Sequence, residues 1–423
     1  MMLGLGWNAW KLLGLIALKS LAPLQQPASP ELGRPAPQFA NPLDSILRRT
    51  PALAPVVSRA AHYELQVIYT RIDRDAQRRA HLTQYSYRLD ERAYFNPASL
   101  VKLPVAVLAL EKLNRLRAQV PQLTRNTIMA TGAAGRCQTV APFAAPADSD
   151  RVASVGNYIK RMLLVSDNQA YNRLYEFLGQ EYLHQRLRQL DLPQVRITRR
   201  FAPCDTAANR CTNPITFHDG AGTIIYKQPA ACNQEVLRPP IGRVLKGRAH
   251  QVVGKVVPRP YDFTTANYLP LQSVHDLLSA IVLPDNSTLS NKLGLAPTDY
   301  AFLRYYLGAT PSESGFNLYA APRYFAAYKK YLYYGRSPQI APQPNLRLYN
   351  IVGMSHGYLS DCAYFIDESA GVEFLLSAVV YVNSDGIIND GHYEYDTVGL
   401  PFLAHLGQAF YRYEQQRSRM AQP

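Results

Sequence analysis

No stretch of this chain approaches the roughly 18 consecutive uncharged apolar residues of a membrane-spanning helix. Tryptophan is nearly absent, and both copies, Trp7 and Trp10, lie at the extreme N-terminus. Cysteine is too sparse for a disulfide framework, with 5 in 423 residues, and no spacing among them has zinc-site form. The reading therefore calls for no metal and no cofactor. Acid is short relative to base: 31 Asp and Glu against 45 Lys and Arg leave a formal charge of +14. That charge is scattered, and no helix-turn-helix, RNA-recognition or zinc-finger pattern accompanies it, so it predicts solubility and no nucleic-acid partner. A basic face of this kind would also suit peripheral association with an anionic cell envelope. Apolar residues make up 47% of the chain, enough for a sizeable core.

The N-terminus reads as a targeting segment. Lys11 precedes the apolar run Leu12 to Leu18, and Ser20-Leu21-Ala22 places small residues at cleavage offsets. Residues 1–22 are thus expected to be a signal peptide of an exported, periplasmic protein, or else an uncleaved membrane anchor. Residues 23–59 are rich in proline without periodicity and predict an extended linker.

The chemistry concentrates around Ser99-Leu100-Val101-Lys102. The apolar run after Pro97 predicts a buried helix with Ser99 at its start. Side chains three apart share a helix face, so Ser99 and Lys102 can touch. A desolvated lysine loses its proton readily and can act as a base toward a neighbouring serine. Further on, Ser166-Asp167-Asn168 sits between two helical patterns. S-x-x-K followed by S-D-N, in this order, resembles the signature of serine β-lactamases and penicillin-binding proteins, whose third element is K-T-G.

That third element is degraded. The strand–turn–strand pattern from Leu348 to Ile366 is similar to the K-T-G strand and its successor in class A relatives, with Ser360-Asp361-Cys362-Ala363 on the second strand. Ile351-Val352-Gly353 then falls on K-T-G: the glycine is kept, the threonine is valine and the lysine is isoleucine. The resemblance runs from about Ala61 to Glu414. It implies an α+β fold, with a five-stranded antiparallel sheet flanked by helices and a helical subdomain. The hydrolase domain is expected over 60–415, with 416–423 a tail.

The resemblance also assigns roles. Ser99 is the acylated nucleophile, Lys102 the base and Ser166 the proton relay. Asn168, Val352, Gly353 and Met354 bind substrate, Asp167 is structural, and the N–H groups of Ser99 and Met354 form the oxyanion hole. Ile351 is expected to face the cleft beside Ser166, leaving His356 as a replacement cation only if protonated. The family's loop glutamate, which activates the deacylating water, has no counterpart between Arg200 and Pro214, where Asp205 is the one carboxylate.

The middle of the chain is less regular. Residues of about 215–262 read as an insertion of short strands, a basic solvated hairpin near the cleft. Helical patterns cover Leu271 to Val282, Pro297 to Leu307 and Ala321 to Tyr333. Cys204 and Cys211 are close enough for a loop disulfide, and turn chemistry accounts for the acidic stretch Asn383 to Asp390 as well as calcium does. Three functions follow: a serine hydrolase acting on an amide or ester, with a small-molecule or cell-wall peptide substrate; a β-lactam-hydrolysing β-lactamase; or a silent cell-envelope binding domain.

Overall fold

Chain order is α1 (Pro42–Arg49), α2 (Ala54–Val57), β1 (Gln66–Arg74), β2 (Ala80–Tyr87), α3 (Lys102–Arg117), β3 (Ile128–Thr131), α4 (Val155–Val165), α5 (Asn168–Leu178), α6 (Gln180–Gln189) and α7 (Thr206–Asn209). It continues β4 (Ile215–His218), β5 (Ile224–Gln228), β6 (Leu245–Lys246), β7 (Ala249–Val252), β8 (Lys255–Val257), β9 (Tyr261–Asp262), α8 (Leu271–Val282) and α9 (Pro297–Gly308). It closes with β10 (Arg347–Ser355), β11 (Tyr358–Asp367), β12 (Val372–Tyr381), β13 (Ile387–Ile388) and α10 (Leu400–Ala421). This computed structural model describes residues 41–421, apart from 134, 136–138, 145–150, 239, 316–318, 320 and 321. The expected leader, with Trp7 and Trp10, and Cys137 lie outside the described residues.

The main sheet is five-stranded and antiparallel, in the order β10-β11-β12-β1-β2. Side chains alternate across it with period two, and both faces are buried except along β2, which is largely exposed. One face carries Ile68, Ile351, Cys362, Leu375 and Val379 against the helical subdomain built on α3, α4, α5, α8 and α9. The other carries Val67, Tyr69, Val352, Ala363 and Leu376 against α1 and α10. This is the α+β architecture expected. The β10–β11 pair, α8 and α9 fall close to their sequence patterns.

Four expectations on organisation are corrected. The linker does not extend to Arg59: Leu43, Ile46, Leu47, Leu53 and Val56 are buried in the second core. The prolines there start helices, where a missing N–H costs nothing, and Asn41 caps the first by accepting the N–H of Leu43 at 3.0 Å. The tail is also folded, since α10 runs to Ala421 and Arg417 pairs with Glu414 at 2.6 Å. Residues 322–335 form turns rather than a helix, because buried Asp361 accepts the N–H groups of Tyr331 and Leu332 at 3.1 and 2.9 Å. Finally, Cys211 bonds Cys232, not Cys204, and Cys204 is disulfide-bonded elsewhere.

The expected insertion divides in two. Ile215 to Gln228 supplies β4 and β5, which pair with β3 in a second sheet of the helical subdomain. Only 244–263 stands apart. It packs through Val244 and Phe263 against Tyr94, Tyr268 and Ile388, and its β7–β8 tip is solvated, with Val253 97% exposed.

Candidate active site

The site begins at a strained turn. The Asn96 side chain accepts the N–H of Ala98 at 2.8 Å, and Ala98 is held at φ 43°, a left-handed backbone that costs a non-glycine residue free energy. A 3-10 turn over Ala98–Val101 then leads into α3. This presents Ser99 at the surface of the turn and buries Lys102 completely.

Three groups close a triangle. Lys102 Nζ lies 2.9 Å from Ser99 Oγ and 2.9 Å from Ser166 Oγ, and the two hydroxyls are 2.9 Å apart. Lys102 Nζ also donates to Ser166 O at 2.6 Å and to Asn168 Oδ1 at 2.7 Å. Burial pushes this ammonium down to about 7, and the charge of Lys329 pushes the same way against Asp167. A neutral amine keeps two N–H donors, which the Ser166 carbonyl and Asn168 occupy. Its lone pair is then left facing the two hydroxyls.

The S-D-N segment is a helix-to-helix corner. Ser166 ends α4 in the left-handed conformation, φ 59° and ψ 40°. Asp167 starts α5: one carboxylate oxygen accepts the N–H of Ala170 at 2.9 Å, and the other accepts Arg161 at 2.6 Å. Its carboxyl is held below the usual range, the donors outweighing a burial that acts the other way. The side chain is thus committed to the corner and does not point at Ser99.

The third wall is β10. A Cβ on Gly353 would lie 2.7 Å from the Pro97 carbonyl and 2.6 Å from Ser360 Oγ. Only glycine lets β10 come this close to the Ser99 turn. Two expectations fail on this strand. Ile351 is fully buried in the core and lines no open cleft. Val352 points to the opposite face, into the second core, so it can meet substrate only through its backbone; the Met354 side chain also packs there. His356 is no substitute cation. Burial and then Arg199 push it down to about 4, and its Nδ1 lies 3.2 Å from Asn96 Nδ2 and 2.6 Å from Ser355 Oγ.

Two residues that sequence reasoning overlooked complete the site. Phe201 places its ring 5.0 Å from Lys102 Nζ. It is held there by its N–H on Asn172 Oδ1 at 2.8 Å, by the Tyr171 ring at 4.6 Å, and by the buried Arg200–Glu176 ion pair beside it at 2.8 Å. The loop residue against Lys102 is therefore aromatic. Asp205 is exposed and caps α7 by accepting the N–H of Ala208 at 2.7 Å. The other overlooked residue is Lys329, buried, with Nζ donating to the Leu163 carbonyl in the last turn of α4. Its signal in the sequence was an unpaired Lys-Lys inside an aromatic run.

Residues 53–227 match the family model described as the β-lactamase enzyme family. That stretch contains Ser99, Lys102, Ser166 and Asn168 together with β1 and β2, and β10, β11 and β12 follow it. Over those residues the chain resembles the β-lactamase enzyme family. No curated protein matches it. Among solved structures, a β-lactamase from Sphaerobacter thermophilus is 10% identical, covering 88% of this chain and 97% of that one with a TM-score of 0.44. The β-lactamase from Streptomyces albus G is 14% identical, covering 86% and 98% with a TM-score of 0.44. The class A β-lactamase from Mycobacterium abscessus is 16% identical, covering 86% and 98% with a TM-score of 0.44. The β-lactamase-like chain departs from the family pattern at Ile351 and Phe201.

Proposed function

We propose that this β-lactamase-like chain is an exported serine hydrolase that forms a long-lived acyl-enzyme at Ser99 from an amide or ester. The observation that carries the reading is the triangle of Ser99, Lys102 and Ser166 around a buried amine. Lys102 as free base takes the proton of Ser99 as its oxygen bonds the substrate carbonyl carbon. The lysine returns that proton through Ser166 to the leaving nitrogen or oxygen. The N–H groups of Ser99 and Met354 hold the developing oxyanion, and Asn168 orients the substrate amide.

The second half of the cycle is slow. Deacylation needs a base on a water, and the loop offers Phe201 there instead. Acylation by β-lactams without rapid turnover is the outcome that this supports. Envelope association and export belong to the same reading: a protein cut after Ala22 contains no tryptophan, so purified mature protein should emit from tyrosine alone.

Intact-mass measurement after a fluorescent penicillin and an uncharged fluorophosphonate tests the function. One adduct is expected on wild type and none on Ser99→Ala. The base acts deprotonated, so labelling should rise with pH through about 7, the value of Lys102. Equal labelling of wild type and Ser99→Ala would leave the silent binding domain as the better reading.

A further inference from the structure

The last turn of α4 carries two lysines. Lys102 Nζ donates to the carbonyl of Ser166, and Lys329 Nζ donates to the carbonyl of Leu163. These carbonyls are three residues apart, about 5 Å of helical rise. Terminal carbonyls of a helix lack intrahelical partners and carry partial negative charge, so they attract cations. Both lysines are buried, at 0% and 6% exposure, and neither has a carboxylate within ion-pair distance among the described residues.

The surroundings of the two differ. Around Lys102 stand Ser99, Ser166, Asn168 and the Phe201 ring, and the nearby Asp167 is committed to Arg161. Lys329 belongs to a buried network in which Asn350 Nδ2 donates to the Lys329 carbonyl and to Asp361 Oδ1, at 2.7 and 2.9 Å. Lys330 Nζ donates to Asn350 Oδ1 at 2.7 Å in the same network. Asp361, itself pushed up to about 7 by burial, faces both Lys329 and Lys330 and supports a charge on that side, and no free carboxylate does so for Lys102. Two ammonium ions one helical turn apart in a dry interior repel strongly.

We propose that Lys102 and Lys329 share one proton at neutral pH, with Lys329 holding it and thereby keeping Lys102 as the free base. Lys329 is a positioning residue that acts through Lys102. The charge missing from β10 at Ile351 enters from the segment before that strand. The proposal rests on the hydrolase reading for its use, but the pairing stands on the geometry alone. Burial lowers both amines to about 7.

The test titrates lysine Cε carbons by NMR in the full-length protein, with Lys329→Met and Lys102→Met for assignment. In Lys329→Met the Lys102 midpoint should rise by at least about one pH unit, a tenfold loss of free base. The coupling energy is reciprocal, but Lys329 loses its proton only after Lys102 is neutral, so its midpoint should stay within a few tenths of a unit in Lys102→Met. The alkaline limb of fluorophosphonate labelling should move with Lys102. A Lys102 midpoint unmoved in folded Lys329→Met would overturn the pairing. If that variant fails to fold, the order of the two midpoints in wild type decides: Lys102 should titrate below Lys329, and a Lys102 midpoint at or above that of Lys329 would overturn the proposal. If the midpoints move but Ser99 never labels, the pair stands and the hydrolase reading falls.

Discussion

Phe201→Glu exchanges the two halves of the reaction. The ring sits 5.0 Å from Lys102 Nζ, so a carboxylate there faces the amine across about the same gap. At an effective dielectric of about 20, unit charges about 5 Å apart attract by about 3 kcal/mol. That raises Lys102 by about two pH units. Lys102 would then be mostly protonated at neutral pH, and acylation should slow by up to about 100-fold. The same carboxylate supplies the missing base, worth about 10² to 10⁴ in deacylation. A time course of intact mass after a single dose of penicillin reads both effects: a slower rise of the adduct and a faster fall. An adduct that forms more slowly yet survives as long as in wild type would refute the placement of Phe201 over the water site. Unchanged formation would refute its contact with Lys102.

Three further outcomes are expected. Gly353→Ala should cut acylation at least tenfold, since its methyl would lie 2.7 Å from the Pro97 carbonyl and a 1 Å misplacement costs about 100-fold; wild-type labelling kinetics would show that the strand does not abut the Ser99 turn. Ile351→Lys should lose about 3–5 kcal/mol in urea unfolding, because it buries an unpaired ammonium in the core; a stable variant with improved penicillin labelling would return Ile351 to the cleft. Non-reducing peptide mapping should find Cys211 linked to Cys232, and Cys211→Ser should cost about 3 kcal/mol for a loop of 21 residues; a Cys204–Cys211 peptide would contradict the fold of this loop.

What was legible in the sequence was local. Ser99 and Lys102 meet because three residues make one turn. Asp167 caps α5 because it stands at the right offset. Helix α8 announces itself by periodicity. Facing was harder: the pattern at Ile351-Val352-Gly353 fixes alternation but not which neighbours each face meets, and both faces of this strand are core. Lys329 was illegible for a different reason. Its ammonium reaches α4 from a segment 166 positions away in the chain, and no spacing rule predicts such a meeting. Cys211 likewise chose a partner by fold, not by proximity. In residues 42–57 proline misled, because an N1 proline and a linker proline look alike without the buried leucines' partners in α10.

The site occupies the rim of the main sheet, and that has a bearing on how the chain survives synthesis. Strand β10 pairs only with β11, so its outer edge meets no other strand among the described residues. Exposed edges invite pairing with other chains, and proteins usually blunt them with charge, proline or bulges. From Leu348 to Ser355 this strand has neither charge nor proline. On the proposed function, gatekeeping the rim would fill the place where substrate lies, so the segment Leu348-Tyr-Asn-Ile-Val-Gly-Met354 keeps the composition of a self-associating peptide. Until β11 and the Ser99 turn close over it, the nascent chain carries an aggregation hazard that the proposed activity requires.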